Sequence, residues 1–141
     1  VRYQEGVICM GFNWNEFFTI FREKLKKLVK CEVGRYVTPK NSQFPYCDFA
    51  LTDIYGGNYD LSGNEGSVSP MITISVYDTG SLADANCEKI SMKAKKIMLS
   101  YGFQCRAGPK PVINATDPTI SRWIARYQRI VGAGDQLRTI N

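Results

Sequence analysis

The sequence predicts an α+β fold: two helices packed on one mainly antiparallel sheet of four to five strands, in the order helix, strands, helix, strands. Three observations carry this. An amphipathic stripe runs over residues 13–30, a second over 81–101, and between them FALTDIY (49–55) and MITISVY (71–77) are rich in β-branched and aromatic residues with period-two character. At 141 residues, 44% of them apolar, the chain suits one domain with one core. That domain is expected over 13–135, preceded by an arm (1–12) and followed by a short tail (136–141).

In the first helix Trp14, Phe17, Phe18, Phe21, Leu25, Leu28 and Val29 recur at helical spacing, while Glu23, Lys26, Lys27 and Lys30 fall outside the stripe. Asn13 is placed to cap it, Glu16 to return a bond to the cap, and Phe12 to staple against Phe17. The lysines near its end suit the negative pole of the helix dipole and read first as a solvated face. A weaker strand is expected over 33–37. After FALTDIY, residues 56–70 (GGNYDLSGNEGSVSP) read as a long loop of turn chemistry, which an ordered domain keeps for contact. The second helix should open on a Ser81–Asp84 capping box and close on a left-handed Gly102, burying Ala83, Cys87, Ile90, Ala94, Ile97 and Tyr101. A strand at 103–106 is then expected to give way to the irregular AGPKPVINATDP.

The stretch TISRWIARYQRIV (119–131) admits two readings. As a helix, Asp117 caps, Pro118 takes the first turn, and Ile120, Trp123, Ile124, Tyr127 and Val131 form the stripe. As a strand, Trp123, Ala125, Tyr127 and Val131 face one side, with Arg122, Ile124, Arg126 and Gln128 on the other and Arg129 near the end of the apolar side. Propensity leans towards the strand. If Trp123 and Tyr127 were exposed among these arginines, they could stack bases; a domain this size more often needs its large aromatics in the core.

Composition narrows the chemistry. There is no histidine, so the commonest general base and metal ligand is missing and no Ser-His or Cys-His nucleophile can be assembled, which argues against an enzyme. The five cysteines are odd in number, form no CxxC pair, and read as reduced buried thiols of a cytoplasmic product. Of the carboxylates, Asp48 with Asp53 and Asp60 with Glu65 are conceivable pairs, though acids near turns serve turn geometry first. DLSGNEG (60–66) has oxygen side chains at alternate positions, but Glu65 stands where a calcium loop needs glycine and Met71 where it needs the bidentate glutamate. GAGD (132–135) lacks the further glycine or lysine of a phosphate loop and reads as the end of an element. No cofactor or metal is expected. No run approaches a membrane span and VRYQEGVICM lacks a signal-peptide core, so no membrane association is expected. The excess of 18 Lys+Arg over 13 Asp+Glu, a formal +5, favours phosphates or acidic surfaces.

Taken in order, the first helix, the strand pair, the run ISVYDTGSLADA from strand into capped helix, the helix end at YGF (101–103) and the closing R-x-x-x-R-Y-x-R-x-x-G-x-G-D pattern from Arg122 to Asp135 resemble the tail terminator (tail completion) proteins of long-tailed bacteriophages. The resemblance covers most of residues 13–135. It implies a virion structural protein of the tail and neck, assembled in the bacterial host cytoplasm. Such a protein closes into a ring, usually of six subunits, on the head-proximal end of the tail tube. There it stops tube polymerisation and presents a joining surface to the head connector or neck protein. DNA would pass through its channel with transient, sequence-independent contact. A ring needs two complementary patches on each subunit. The candidates are the strand arginines Arg122, Arg126 and Arg129 against an acid-bearing loop with Asp53, Asp60 and Glu65. The alternatives are another neck, connector or baseplate component, and, from a different class, a basic nucleic-acid-binding module indifferent to sequence.

Overall fold

The computed structural model describes residues 13–36, 44–59 and 65–132. The elements run α1 (Trp14–Leu28), β1 (Glu32–Gly34), β2 (Tyr46–Tyr59), β3 (Glu65–Thr79), α2 (Ala83–Ser100), β4 (Gln104–Val112), β5 (Ile120–Gln128) and β6 (Val131–Gly132). This is the expected α+β order. The sheet order is β1-β2-β3-β5-β4, with the two-residue β6 also pairing β3. Among the described residues only β1 and β2 run parallel; the β2–β3, β3–β5, β3–β6 and β4–β5 ladders are antiparallel.

Both helices lie on the same sheet face. The backbone N–H of Glu16 donates to Asn13 Oδ1 at 3.0 Å, capping α1. The reciprocal bond goes from Asn13 Nδ2 to Glu16 Oε2 at 3.3 Å, side chain to side chain, and not to the cap's backbone. The expected staple residue, Phe12, lies outside the described residues. Phe49 of β2 is the hub beneath α1: Phe21, Trp14 and Phe18 approach its ring at 4.8, 4.9 and 5.5 Å between centroids. Phe17 packs on Phe103 and Tyr101, tying α1 to the end of α2. α2 covers β3, β5 and β4 with Cys87, Ile90, Ala94, Ile97 and Met98, all buried. Facing them, Val76, Ile74 and Ile72 of β3 pair with Trp123, Ala125 and Tyr127 of β5.

The 119–131 stretch is therefore a strand, and the apolar side of the strand reading is the buried one. Trp123 and Tyr127 are core residues, exposed 9% and 0%. Asp117, whose role in the helix reading was a cap, accepts from the Thr119 hydroxyl at 2.6 Å and the Thr119 N–H at 3.0 Å, which turns the chain into β5. Those two bonds hold its carboxyl below the usual range.

Three expectations fail for identifiable reasons. First, residues 56–70 are mostly not loop: β2 and β3 pair through to Tyr59↔Glu65, leaving only 60–64 between them. Glycine and asparagine lower strand propensity, but a continuous ladder with a neighbouring strand overrides them. Pro70 sits where β3 has passed beyond β5, which pairs only Met71–Thr79, and has not reached β6, which pairs Ser67–Val68; its missing N–H falls in that gap. Second, β4 continues through Pro109 and Pro111 to Val112, because it is an edge strand where a lost donor is tolerated, with register shifts at Cys105/Ala107 and Ala107/Lys110. Gly108 makes this path feasible: its φ is +77°, and a Cβ there would strike the Ile124 carbonyl. Third, the Ser81–Asp84 capping box does not form. The residue before α2 is Leu82, without a side-chain cap, and Asp84 instead accepts the indole N–H of Trp123 at 2.9 Å. At the other end of α2, Gly102 has φ +84°, as a left-handed terminator should.

Asp78, 5% exposed, anchors the β3–α2 corner by accepting the Thr79 N–H at 2.8 Å and the Asn86 amide at 3.0 Å. Cys31, Cys47 and Cys87 are buried free thiols and Cys105 is half-buried. Burial pushes Cys31 and Cys87 up to about 12, and Cys47 well above its usual value.

Candidate functional site: the uncovered face of the sheet

Side chains opposite one another across antiparallel strands share a face, so the ladder registers define the surface turned away from the helices. Reading β2, β3, β5 and β4 in order gives four rows. They are Tyr46–Tyr77–Arg122–Val112, Asp48–Ser75–Ile124–Lys110, Ala50–Thr73–Arg126–Ala107 and Asp53–Met71–Gln128–Gln104. Among the described residues no helix or second sheet covers this face. Its central positions are nevertheless shielded: Ser75, Tyr46 and Thr73 are 3%, 4% and 8% exposed, covered by longer neighbours.

Arg122 does much of that covering. Its guanidinium lies 5.5 Å from the Tyr77 ring centroid and Nη2 donates to Ser75 Oγ at 3.3 Å, while Nε is buried without a partner. It is a held, half-buried cation. Arg126, two rows along, is exposed and makes no side-chain bond among the described residues. Arg129 lies past the end of β5 on the rim of a cleft of about 310 Å³ that also takes in Ser69, Gln104, Arg106, Gln128 and Ile130.

The acids are placed differently from the expectation. Asp53 and Glu65 are strand residues, not parts of a loop, and Asp60 lies outside the described residues. Asp53 follows a bulge: the register shifts between Leu51 and Asp53, leaving Thr52 as the extra residue. The Thr52 hydroxyl packs 3.1 Å from that of Thr73 and donates to the Met71 carbonyl at 3.2 Å. The shift carries Asp53 to the same face as Asp48 and the arginines, where its carboxylate accepts the Ile54 N–H at 2.8 Å. Glu65 opens β3 opposite Tyr59. The calcium-like run and the GAGD segment fall largely outside the described residues. Among the described residues no three metal-capable side chains cluster, and no helix is long and apolar enough to cross a membrane.

Two cations on this face escaped the reading of the sequence. Lys110 stands opposite Ile124, and Arg106 reaches Gln128, donating from Nε to Oε1 at 3.3 Å. The prolines and bulges of β4 hide its alternation. A charge signal was available all the same: residues 89–134 hold nine cations and a single acid, Asp117. The uncovered face is thus divided, with Asp48 and Asp53 on β2 and only cations on β4 and β5.

The outer edge of β2 is guarded in part. β1 pairs only Tyr46–Asp48, and beyond it the Tyr36 hydroxyl donates to the Leu51 carbonyl and accepts the Leu51 N–H, both at 2.9 Å. Comparison with protein-family models and with curated proteins gives no match.

Proposed function

We propose that the protein is a tail terminator, a virion structural subunit of a long-tailed phage. It closes into a ring, of six copies by analogy, on the head-proximal end of the tail tube, stops tube growth and offers the head connector or neck protein its joining surface. The observation that best supports this, beside the resemblance, is the β2–β3 hairpin. From Glu65 to Pro70, β3 runs past the end of β5, a reach of roughly 20 Å. Within the subunit β6 supports this stretch only at Ser67 and Val68, and a ribbon with so short a third strand is marginal by itself in water, so one retained at this length is suited to packing on something else. In a ring that something is the adjacent subunit or the tube.

Head-to-tail closure also needs two unlike patches. The part of the basic β4–β5 half around Arg126 supplies one, and the hairpin with Asp53 on β2 belongs to the other. The test is the mass in solution by size-exclusion chromatography with light scattering, with negative-stain images for a central hole. A ring is expected for the wild type, and Arg126→Glu should give a folded monomer, since Arg126 is exposed and makes no side-chain bond among the described residues. Arg122→Glu is a poorer test, because Arg122 also covers Ser75 and Tyr77. A wild type that stays monomeric at every concentration and in the presence of tail tubes overturns the reading, and intact rings from Arg126→Glu overturn the role of that arginine.

A further inference from the structure

We propose that the β4–β5 half of the uncovered face, carrying Arg106, Lys110, Arg122 and Arg126, is a docking strip for the phosphate backbone of double-stranded nucleic acid. This deepens the proposed function by assigning the DNA-facing surface, and it rests on that reading for where the DNA is met, though not for whether it binds.

The first argument is charge. β4 and β5 carry these four cations and no acid, whereas α1 and α2 together carry eight cations interleaved with four acids. Same-sign cations on neighbouring strands repel one another, and such an arrangement is favourable chiefly against a polyanion. Lys110 and Arg126 make no side-chain bond among the described residues, and Arg106 uses only Nε, so their outer donors face solvent.

The second argument is spacing. Arg122 and Arg126 share one strand and lie four residues apart. Lys110 stands opposite Ile124, midway between them, so a cation recurs about every 7 Å along the strand direction. Arg122 is already oriented by Ser75 and Tyr77, which lowers the entropy cost of using it.

The third argument selects duplex over single strand. Single-strand binders stack bases on exposed aromatics. Here Trp123 and Tyr127 point into the core, and Tyr77 lies beneath the Arg122 guanidinium. With no open ring on the strip, recognition is by phosphate alone and indifferent to sequence.

The experiment measures fluorescence anisotropy of two labelled duplexes of unrelated sequence across a salt series, with the mass of each protein determined by light scattering on the same samples. The strip variant is Arg106→Gln/Lys110→Gln, which leaves Arg126 to the subunit contact. The control is Lys27→Gln/Lys89→Gln on the helix layer, equal in charge change, and circular dichroism confirms that both are folded.

Wild type should bind both duplexes alike. Losing two phosphate contacts should make the slope of log affinity against log salt less steep by about 1.8, so that the wild-type advantage over the strip variant grows about 12-fold between 200 and 50 mM salt. The control should track the wild type. An equal loss in the control places the contact on the helices and overturns the proposal. So does failure of the wild type to bind duplex, or polyglutamate of matched charge competing as well as duplex, which would make the occupant an acidic protein. Binding by a wild type that is monomeric would sustain the strip while the ring reading fails.

Discussion

Replacing Tyr127 with phenylalanine should stabilise the protein. The Tyr127 ring is fully buried between Ile72 of β3 and Cys105 of β4, its cross-strand neighbours, and the hydroxyl is buried with no hydrogen-bond partner. Burial, and after it the nearby thiols of Cys105 and Cys47, pushes the phenol well above its usual pKa. In mutational series a buried hydroxyl left unpaired costs about 1–3 kcal/mol. Phenylalanine removes that cost and keeps the ring. What it forfeits is the dispersion of one oxygen, at about 0.1–0.2 kcal/mol per contacting atom, over a handful of atoms. The net expectation is a gain of about 1 kcal/mol, or roughly 3 °C in Tm for a domain of this size. Urea unfolding followed by circular dichroism should show a higher midpoint with an unchanged slope. A loss of 1 kcal/mol or more would refute the reasoning, because it would mean that the hydroxyl is satisfied in solution, for instance by a buried water.

Further predictions concern the corners and the thiols. Gly108→Ala should cost more than about 2 kcal/mol, since its Cβ meets the Ile124 carbonyl and its φ is +77°; Gly80→Ala, at φ +104° but with nothing within 4 Å, should cost only the left-handed strain of about 1–2 kcal/mol. Urea midpoints in the opposite order would remove the steric argument for β4. Asp84→Ala, which strands the Trp123 N–H at a half-buried site, should cost about 1–2 kcal/mol and shift the tryptophan emission, with Asp84→Asn milder because its amide oxygen still accepts. With Cys31 and Cys87 pushed up to about 12, the unfolded chain ionises these thiols first as pH rises above about 9. Their contribution is complete below that point and is lost as pH approaches 12, so the urea midpoint should fall across this window and fall less in Cys87→Ala. At pH 8 an alkylating reagent should modify Cys105 ahead of Cys31, Cys47 and Cys87; equal rates would contradict their burial.

The helices were legible because each carries its whole signal locally. In α1 the stripe, the Asn13 cap and the terminal lysines lie within sixteen residues. β5 was ambiguous because its apolar residues fit periods of 2 and 3.6 alike; its pairing with β3 and β4, long-range partners that periodicity does not contain, decides it. The same lack hid the outer half of the β2–β3 hairpin and the continuation of β4. In both, glycine or proline suggested turns where a partner strand or an edge position permits extension. Asp53 shows the limit most clearly. Nothing in the local sequence announces a bulge at Thr52, yet that one extra residue decides which face the carboxylate occupies.

That bulge also bears on how one subunit could meet another. With Asp53 carried to the arginine side, opposite charges sit on opposite halves of a single face, β2 against β4–β5, and not on opposite sides of the domain. Two copies meeting face to face about a two-fold axis could place basic half on acidic half and bury the surface in a closed dimer. Head-to-tail closure instead has to join one lateral part of the domain to the other, leaving most of the basic half free. These geometries make opposite demands on Lys110, which belongs to the edge strand β4 but stands on its uncovered face, opposite Ile124. Lys110→Glu should leave a ring intact while weakening duplex binding, and it should dissolve a face-to-face dimer. Light scattering on that single variant separates the two, and a dimer dissolved by it would refute both the ring and the free strip.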